Sequence, residues 1–250
     1  MKLPLIPNRS PSRRFVGFTL VELLVVIGVI ALLISILMPA LSKARKQALK
    51  TNCMSNLRSI GQALQIYAGE NKGKLPATYG GGNWLWDLPI ETRDRIISSG
   101  CLRKVLYCPS YPEQDVDGLW NFDPNFSVLG YFFLLQRIPP PAPMGKIVPN
   151  MPNPLFEKNY QDKTVPKKNP ITGRASASET ELVTDSVISS NGGNFAGVQG
   201  GFAVKHLTSH MNRDNKPEGG NILFMDGHVD WRPFADMKVR DRGYQPEFWF

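Results

Sequence analysis

Histidine and cysteine are scarce in this chain, three of each among 250 residues. That scarcity excludes a disulfide-dense scaffold and the repeated ligand pairs of zinc modules. No His-Glu-x-x-His occurs, and Gly80-Gly-Gly-Asn-Trp-Leu-Trp is not followed by Lys-Ser/Thr, so neither a zinc-protease helix nor a phosphate loop is encoded. A dense run of Lys and Arg interleaved with aromatics is also missing. The formal charge of +8 owes half its size to Lys2, Arg9, Arg13 and Arg14, which precede the first apolar run; without them 25 basic residues face 21 acidic ones, a net of +4. This argues against nucleic acid as a partner. Nothing around Cys108 forms a nucleophile motif, and the reading is of a protein that is not an enzyme and carries no cofactor.

What the sequence does have is one long apolar run. Leu23 to Ser42 are twenty residues without a formal charge, enough for a helix to cross a bilayer. A cleaved secretory signal would be shorter and end in small residues, which Met38-Pro39-Ala40 does not match. One residue resists the plain anchor reading. Glu22 stands among Phe18-Thr-Leu-Val-Glu-Leu-Leu-Val-Val-Ile, where an acidic group costs about 2.5–3.5 kcal/mol on insertion scales. Such a residue is a functional candidate by default.

Beyond Pro39 the apolar positions change period. Leu49, Cys53, Leu57, Ile60, Leu64 and Tyr67 recur at spacings of 3 and 4, predicting an amphipathic stalk whose stripe packs on a globular domain. Gly69, Asn71 and Gly73 supply stop signals, and Leu75-Pro76 starts an extended connection. Nine prolines between residues 137 and 173 preclude long regular structure there, and that stretch reads as a surface loop.

Near the C-terminus, Asp226-Gly227 between β-formers predicts a two-residue type I′ hairpin, pairing Phe224 with Val229 and Ile222 with Trp231 on one face. The competing reading gathers His206, His210, Asp226, His228 and Asp230 into a metal site, with no tight ligand spacing to support it. The structural reading is preferred, with no metal ligand assigned. Asp115-Val-Asp117-Gly is a fragment of a calcium loop without the other carboxylates. Three cysteines allow one disulfide: Cys53 with Cys108, or Cys101 with Cys108, and the sequence does not choose.

The segment Arg13-Arg14-Phe15-Val16-Gly17-Phe18-Thr19-Leu20-Val21-Glu22 resembles the processing site of type IV prepilins and of type II secretion pseudopilins. That resemblance implies cleavage between Gly17 and Phe18 by a prepilin peptidase, methylation of Phe18, and a role for Glu22 in assembly. Pro39 falls where many members of that family bend their helix. Two further stretches resemble a subgroup of pilin-like proteins: Cys53-x-x-Asn56-Leu57 with Cys108-Pro109-Ser110, and a C-terminal His-x9-Asp-Gly signature. Here His210 and Asp226 are separated by fifteen residues, not nine.

The expected fold is α+β. Residues 1–17 form a cleaved leader, and residues 18–72 a helix, with 18–41 in the membrane and 42–72 as stalk. Residues 73–250 form an antiparallel β-rich domain. The implied role is a structural subunit of a type II secretion pseudopilus or type IV pilus-like assembly. Its implied partners are the prepilin peptidase, other pilin-like subunits and the lipid of the cell inner membrane, which it crosses once with the C-terminal domain outside the cytoplasm, in the periplasm or at the cell surface. Lys43, Arg45, Lys46 and Lys50 balance the basic leader, so the flanking charge does not fix this orientation. The alternative is an anchored extracytoplasmic ligand- or metal-binding protein that uses the same export route.

Overall fold

Thr19-Leu-Val-Glu22 has the spacing of a capping box, and that is how the first helix begins. In the computed structural model, which describes residues 19–76, 78–79, 84–135, 137–138, 177–190, 193–195, 198, 207–239 and 247–250, helix α1 spans Leu20–Glu70. The backbone N–H and hydroxyl of Thr19 both donate to Glu22 Oε2 at 2.8 Å, and Glu22 N–H donates back to Thr19 Oγ1 at 3.2 Å. The far end stops as the glycines predict. Lys72 and Gly73 turn to φ +58° and +77°, and Gly73 N–H donates to the Ala68 carbonyl at 2.8 Å.

The chain divides into two compact units, Met1–Arg45 and Lys46–Phe250. In the first, residues 20–41 of α1 are apolar apart from Glu22 and Ser35 and are exposed along their whole length. Pro39 lies inside the helix; it lacks an N–H to donate, a loss that membrane helices tolerate.

In the second unit the same helix turns amphipathic. Cys53, Leu57, Ile60, Ala63 and Leu64 are at most 2% exposed, and Leu49 and Tyr67 at the stripe's ends are half-buried. The remaining elements in chain order are β1 (Thr78–Tyr79), β2 (Asp87–Pro89), α2 (Ile90–Ser98), α3 (Asp117–Trp120), β3 (Phe126–Val128), β4 (Tyr131–Phe133), β5 (Arg137–Ile138), β6 (Glu181–Asp185), β7 (Ile188–Ser189), β8 (Gly219–Phe224), β9 (Val229–Pro233) and β10 (Glu247–Phe248). Strands β4, β6, β8 and β9 form one antiparallel sheet in that order. The α1 stripe shares a core with Tyr131, Phe133, Val183, Leu223 and Val229 of this sheet. A second core is aromatic: Trp86, Phe132, Phe248 and Phe250, with Ile188 and Val128. The architecture is therefore a long N-terminal apolar helix followed by an antiparallel α+β domain, as the pattern of the sequence predicts.

The hairpin differs from its expected form by one residue. β8 pairs with β9 as Leu223↔Val229, Ile222↔Asp230 and Asn221↔Trp231, so Leu223, not Phe224, joins Val229 in the core. The loop is longer than two residues: Phe224 N–H donates to the His228 carbonyl at 3.0 Å and Gly227 N–H to the Phe224 carbonyl at 2.9 Å. Asp226 keeps an ordinary negative φ, and only Gly227 is left-handed, at +92°. This is a three-residue loop closed by a bulge glycine. Slipping the pairing by one residue moves a strand's apolar set to the other face, so burial of Leu223 decides the register. The Pro-rich stretch lies outside the described residues except for β5.

Because only Gly227 needs the left-handed region, Gly227→Val should lower stability by more than ~1 kcal/mol. Asp226→Asn keeps an oxygen acceptor for the His228 N–H and should melt within a degree or two of the parent. Thermal melts of the full chain in detergent check the order; equal losses contradict the bulge assignment.

Candidate functional site

The candidate residues fall in two places. At the first, Gly17 and Phe18 lie outside the described residues, while Glu22 occupies the first turn of α1. Its carboxylate is engaged with Thr19 in the capping box, a local function that the Thr19-x-x-Glu22 spacing encodes. Both hydrogen bonds use Oε2, and a carboxylate has a second oxygen to offer.

The second place lies within the unit Lys46–Phe250 and draws on four distant segments. Cys53 comes from the buried stripe of α1. Cys108 follows a 3₁₀ turn, Arg103–Leu106, and its backbone runs against the start of β4. That approach requires Gly130, where a Cβ would stand 2.8 Å from Tyr107 Cα and 2.9 Å from Cys108 N. Asp185 ends β6, and His210 sits in a turn at φ +53°. The four side chains are buried, His210 the most exposed at 8%.

Their polar atoms converge. Cys53 Sγ donates to Asp185 Oδ1 at 2.7 Å, and the two sulfurs are 3.4 Å apart. His210 Nε2 is 3.7 Å from Cys108 Sγ and 3.1 Å from Asp185 Oδ2. All four donor atoms lie within 4.8 Å of one another. A ring of supports surrounds them. Asn221 donates to Asp185 Oδ2 from its backbone N–H at 2.6 Å and its side-chain amide at 3.0 Å. Ser110 Oγ lies 2.9 Å from Cys108 Sγ and accepts from the His210 backbone N–H at 3.2 Å, while Tyr131 OH is 3.3 Å from Cys53 Sγ. Trp231 meets the His210 ring edge-on at 5.3 Å, and Lys50 Nζ lies 3.6 Å from the Trp231 ring centroid.

These contacts move the ionisations apart. For Cys108, burial favours the thiol, but the Cys53 hydrogen bond and the His210 imidazole outweigh it and bring the group down to about 6. For His210, burial opposes the cation, yet Asp185 and then Cys108 raise it to about 10. Asp185 is lowered against its own burial by His210, Cys53 and Asn221. Cys53 is pushed well up, by burial first and then by Cys108 and Asp185. The arrangement is a thiolate–imidazolium pair beside a carboxylate and a neutral thiol. Such pairs activate nucleophilic cysteines, but here burial withholds the sulfur from a substrate.

The structure sorts the sequence candidates. Cys53, Cys108 and His210, drawn from three separated motif-like stretches, come together; Asp226 and its glycine do not join them. Asp226 and His228 are paired at the exposed hairpin turn, Nδ1 to Oδ1 at 2.5 Å, and His228 Nε2 is 3.8 Å from Asp230 Oδ2. The five-residue His/Asp cluster considered from sequence is thus split: His210 is buried beside Asp185, and His206 lies outside the described residues. Asp115 and Asp117 are both held by Arg103, at 2.7 and 2.5 Å, which accounts for that pair as structure. Cys101 is buried apart, its sulfur 3.8 Å from the Leu102 carbonyl. The residue missed in the sequence is Asp185. Its only trace is a carboxylate closing the run Leu182-Val-Thr-Asp185, which looks like any strand-end carboxylate.

No family model and no solved structure matches the chain. It is 29% identical over 94 residues to ComG operon protein 3 homolog of Bacillus licheniformis, a stretch covering 38% of this chain and 81% of that protein.

Cys108 and His210 act on stability in opposite directions. Cys108, lowered from 9.0 to about 6, contributes stability that is present above pH 9 and lost as pH falls toward 6. His210, raised from 6.5 to about 10, contributes stability present below pH 6.5 and lost as pH rises toward 10. With both thiols reduced and chelator present, the two slopes cancel between about pH 6.5 and 9. Cys108→Ser should remove the rising arm, so that its melting temperature declines steadily through this window while the parent's stays level. Parallel profiles for the two proteins contradict the pairing.

Proposed function

We propose that this chain is a pilin-like assembly subunit of the type II secretion pseudopilus or type IV pilus kind, structural and not catalytic, made as a precursor and cut between Gly17 and Phe18. The observation that carries this reading is the division of one helix into two surfaces. Residues 20–41 of α1 are apolar on every side and exposed, while the stripe from Cys53 to Leu64 is buried in its own α+β domain. A helix apolar all round needs a bilayer or other helices to cover it. In a subunit that leaves the membrane to join an assembly, the same surface is covered first by lipid and then by neighbouring helices. The likeness to a ComG operon protein adds support.

In this reading the prepilin peptidase removes the basic leader and Phe18 becomes the methylated N-terminus. The new ammonium is a cation at the edge of an apolar helix, and Glu22 of a neighbouring subunit offsets it where an unpaired charge is costly. Gly28, Ala31 and Ser35 let neighbouring helices approach closely. The chain crosses the inner membrane once, with the domain from Lys46 onward outside the cytoplasm. The second reading, an anchored extracytoplasmic ligand- or metal-binding protein, is favoured by the buried Cys53, Cys108, Asp185 and His210, and it is compatible with the same N-terminal processing.

Intact-mass and N-terminal peptide analysis of the protein from its native membrane should show loss of residues 1–17 and one added methyl on Phe18; a mature chain retaining Met1 contradicts the reading. Glu22→Val should leave membrane insertion and cleavage unchanged while reducing recovery in sheared filaments or secretion complexes at least about tenfold, the consequence of losing ~1.4 kcal/mol or more per contact. Undiminished recovery counts against a role for Glu22 in assembly.

A further inference from the structure

We propose that Cys53, Cys108, Asp185 and His210 form a structural zinc site that fastens the stalk half of α1 to the sheet. Two thiolates, one imidazole and one carboxylate are a tetrahedral donor set suited to this borderline-soft ion. The spacing fits as well. Zinc bonds of about 2.0–2.3 Å imply tetrahedral edges of about 3.3–3.8 Å between donors. The two sulfurs are 3.4 Å apart, Cys108 Sγ and His210 Nε2 3.7 Å, and His210 Nε2 and Asp185 Oδ2 3.1 Å. Cys53 Sγ to Asp185 Oδ1 is shorter, at 2.7 Å. It is the thiol hydrogen bond that an ion replaces, releasing the proton to solvent as the thiolate binds.

Independent features point the same way. His210 is a non-glycine residue held at φ +53° in a buried position, an uncommon conformation of the kind that surrounding structure sustains at functional sites. The supports expected of ligand-orienting groups are in place: Asn221 on the carboxylate, Ser110 beside Cys108 and Trp231 against the imidazole. Two buried polar atoms on residues flanking the site, Ser209 Oγ and Asn221 Oδ1, have no hydrogen-bond partner among the described residues. A disulfide between Cys53 and Cys108 would use two of the four donors and leave Asp185 and His210 without their sulfur partners.

The test uses the full chain purified in detergent. Elemental analysis after dialysis against zinc should give one ion per chain, and cobalt(II) added to reduced, metal-free protein should produce the visible bands of a tetrahedral thiolate site. Chelator should lower the melting temperature by roughly 5–10 °C, the shift for an ion at about a hundredfold its dissociation constant in a domain of this size. Cys108→Ser and His210→Ala should lose the cobalt bands, whereas Cys101→Ser should keep them. The cobalt titration of the parent chain stands even where a variant fails to fold. Substoichiometric zinc, no tetrahedral cobalt spectrum, or a Cys53–Cys108 disulfide found by non-reducing peptide mapping of protein from the native membrane each overturns the proposal.

Discussion

A carboxylate buried to 1% exposure is the constraint around which the domain is arranged. Asp185 ends the second strand of the four-stranded sheet, and an uncompensated charge at that depth would cost several kcal/mol against a total stability of about 5–15 kcal/mol. Every element near it contributes to holding it: the backbone and side chain of Asn221 on β8, the His210 ring from the turn, and the Cys53 thiol from α1. The charge is therefore also the point at which helix, sheet and turn are joined. Packed hydrophobes in place of buried ionic groups are often no less stable, and the proposed ion, held by the same four residues, supplies a physical reason for this one.

The other large feature is the helix. Its two halves obey different solvents. The first presents apolar side chains on every side, as a bilayer or a bundle of helices requires. The second has one apolar stripe and buries it against Val183, Leu223 and Val229. The capping box at Thr19 and Glu22 fixes where the first half starts, and the polar cluster at Cys53 lies within the second.

Much of this was legible in the sequence, for reasons that can be named. The apolar run and the 3–4 spacing from Leu49 to Tyr67 report the environment of each helix half directly, and Asn71 with Gly73 reports where it stops. The hairpin was legible as a turn but not in register, because Asp-Gly serves both a two-residue loop and a three-residue bulged one; burial of Leu223 by α1, a contact between distant segments, decided between them. The buried cluster was half visible. Cys53, Cys108 and His210 stood out as motif elements, yet their convergence depends on the backbone approach at Gly130 and on Asp185, whose charge looks like any strand-end carboxylate until the sheet is formed. Asp226-Gly227 serves a turn, as its residues suggest, while His210 belongs to the buried cluster.

The claim that one ion joins stalk and sheet is tested most directly by X-ray absorption at the zinc edge, on zinc-loaded full chain in detergent. The account predicts a four-coordinate first shell of two sulfurs at about 2.3 Å and two lighter atoms at about 2.0–2.2 Å, with the outer scattering of a single imidazole. A shell of oxygen and nitrogen alone, or of six light atoms, would contradict it.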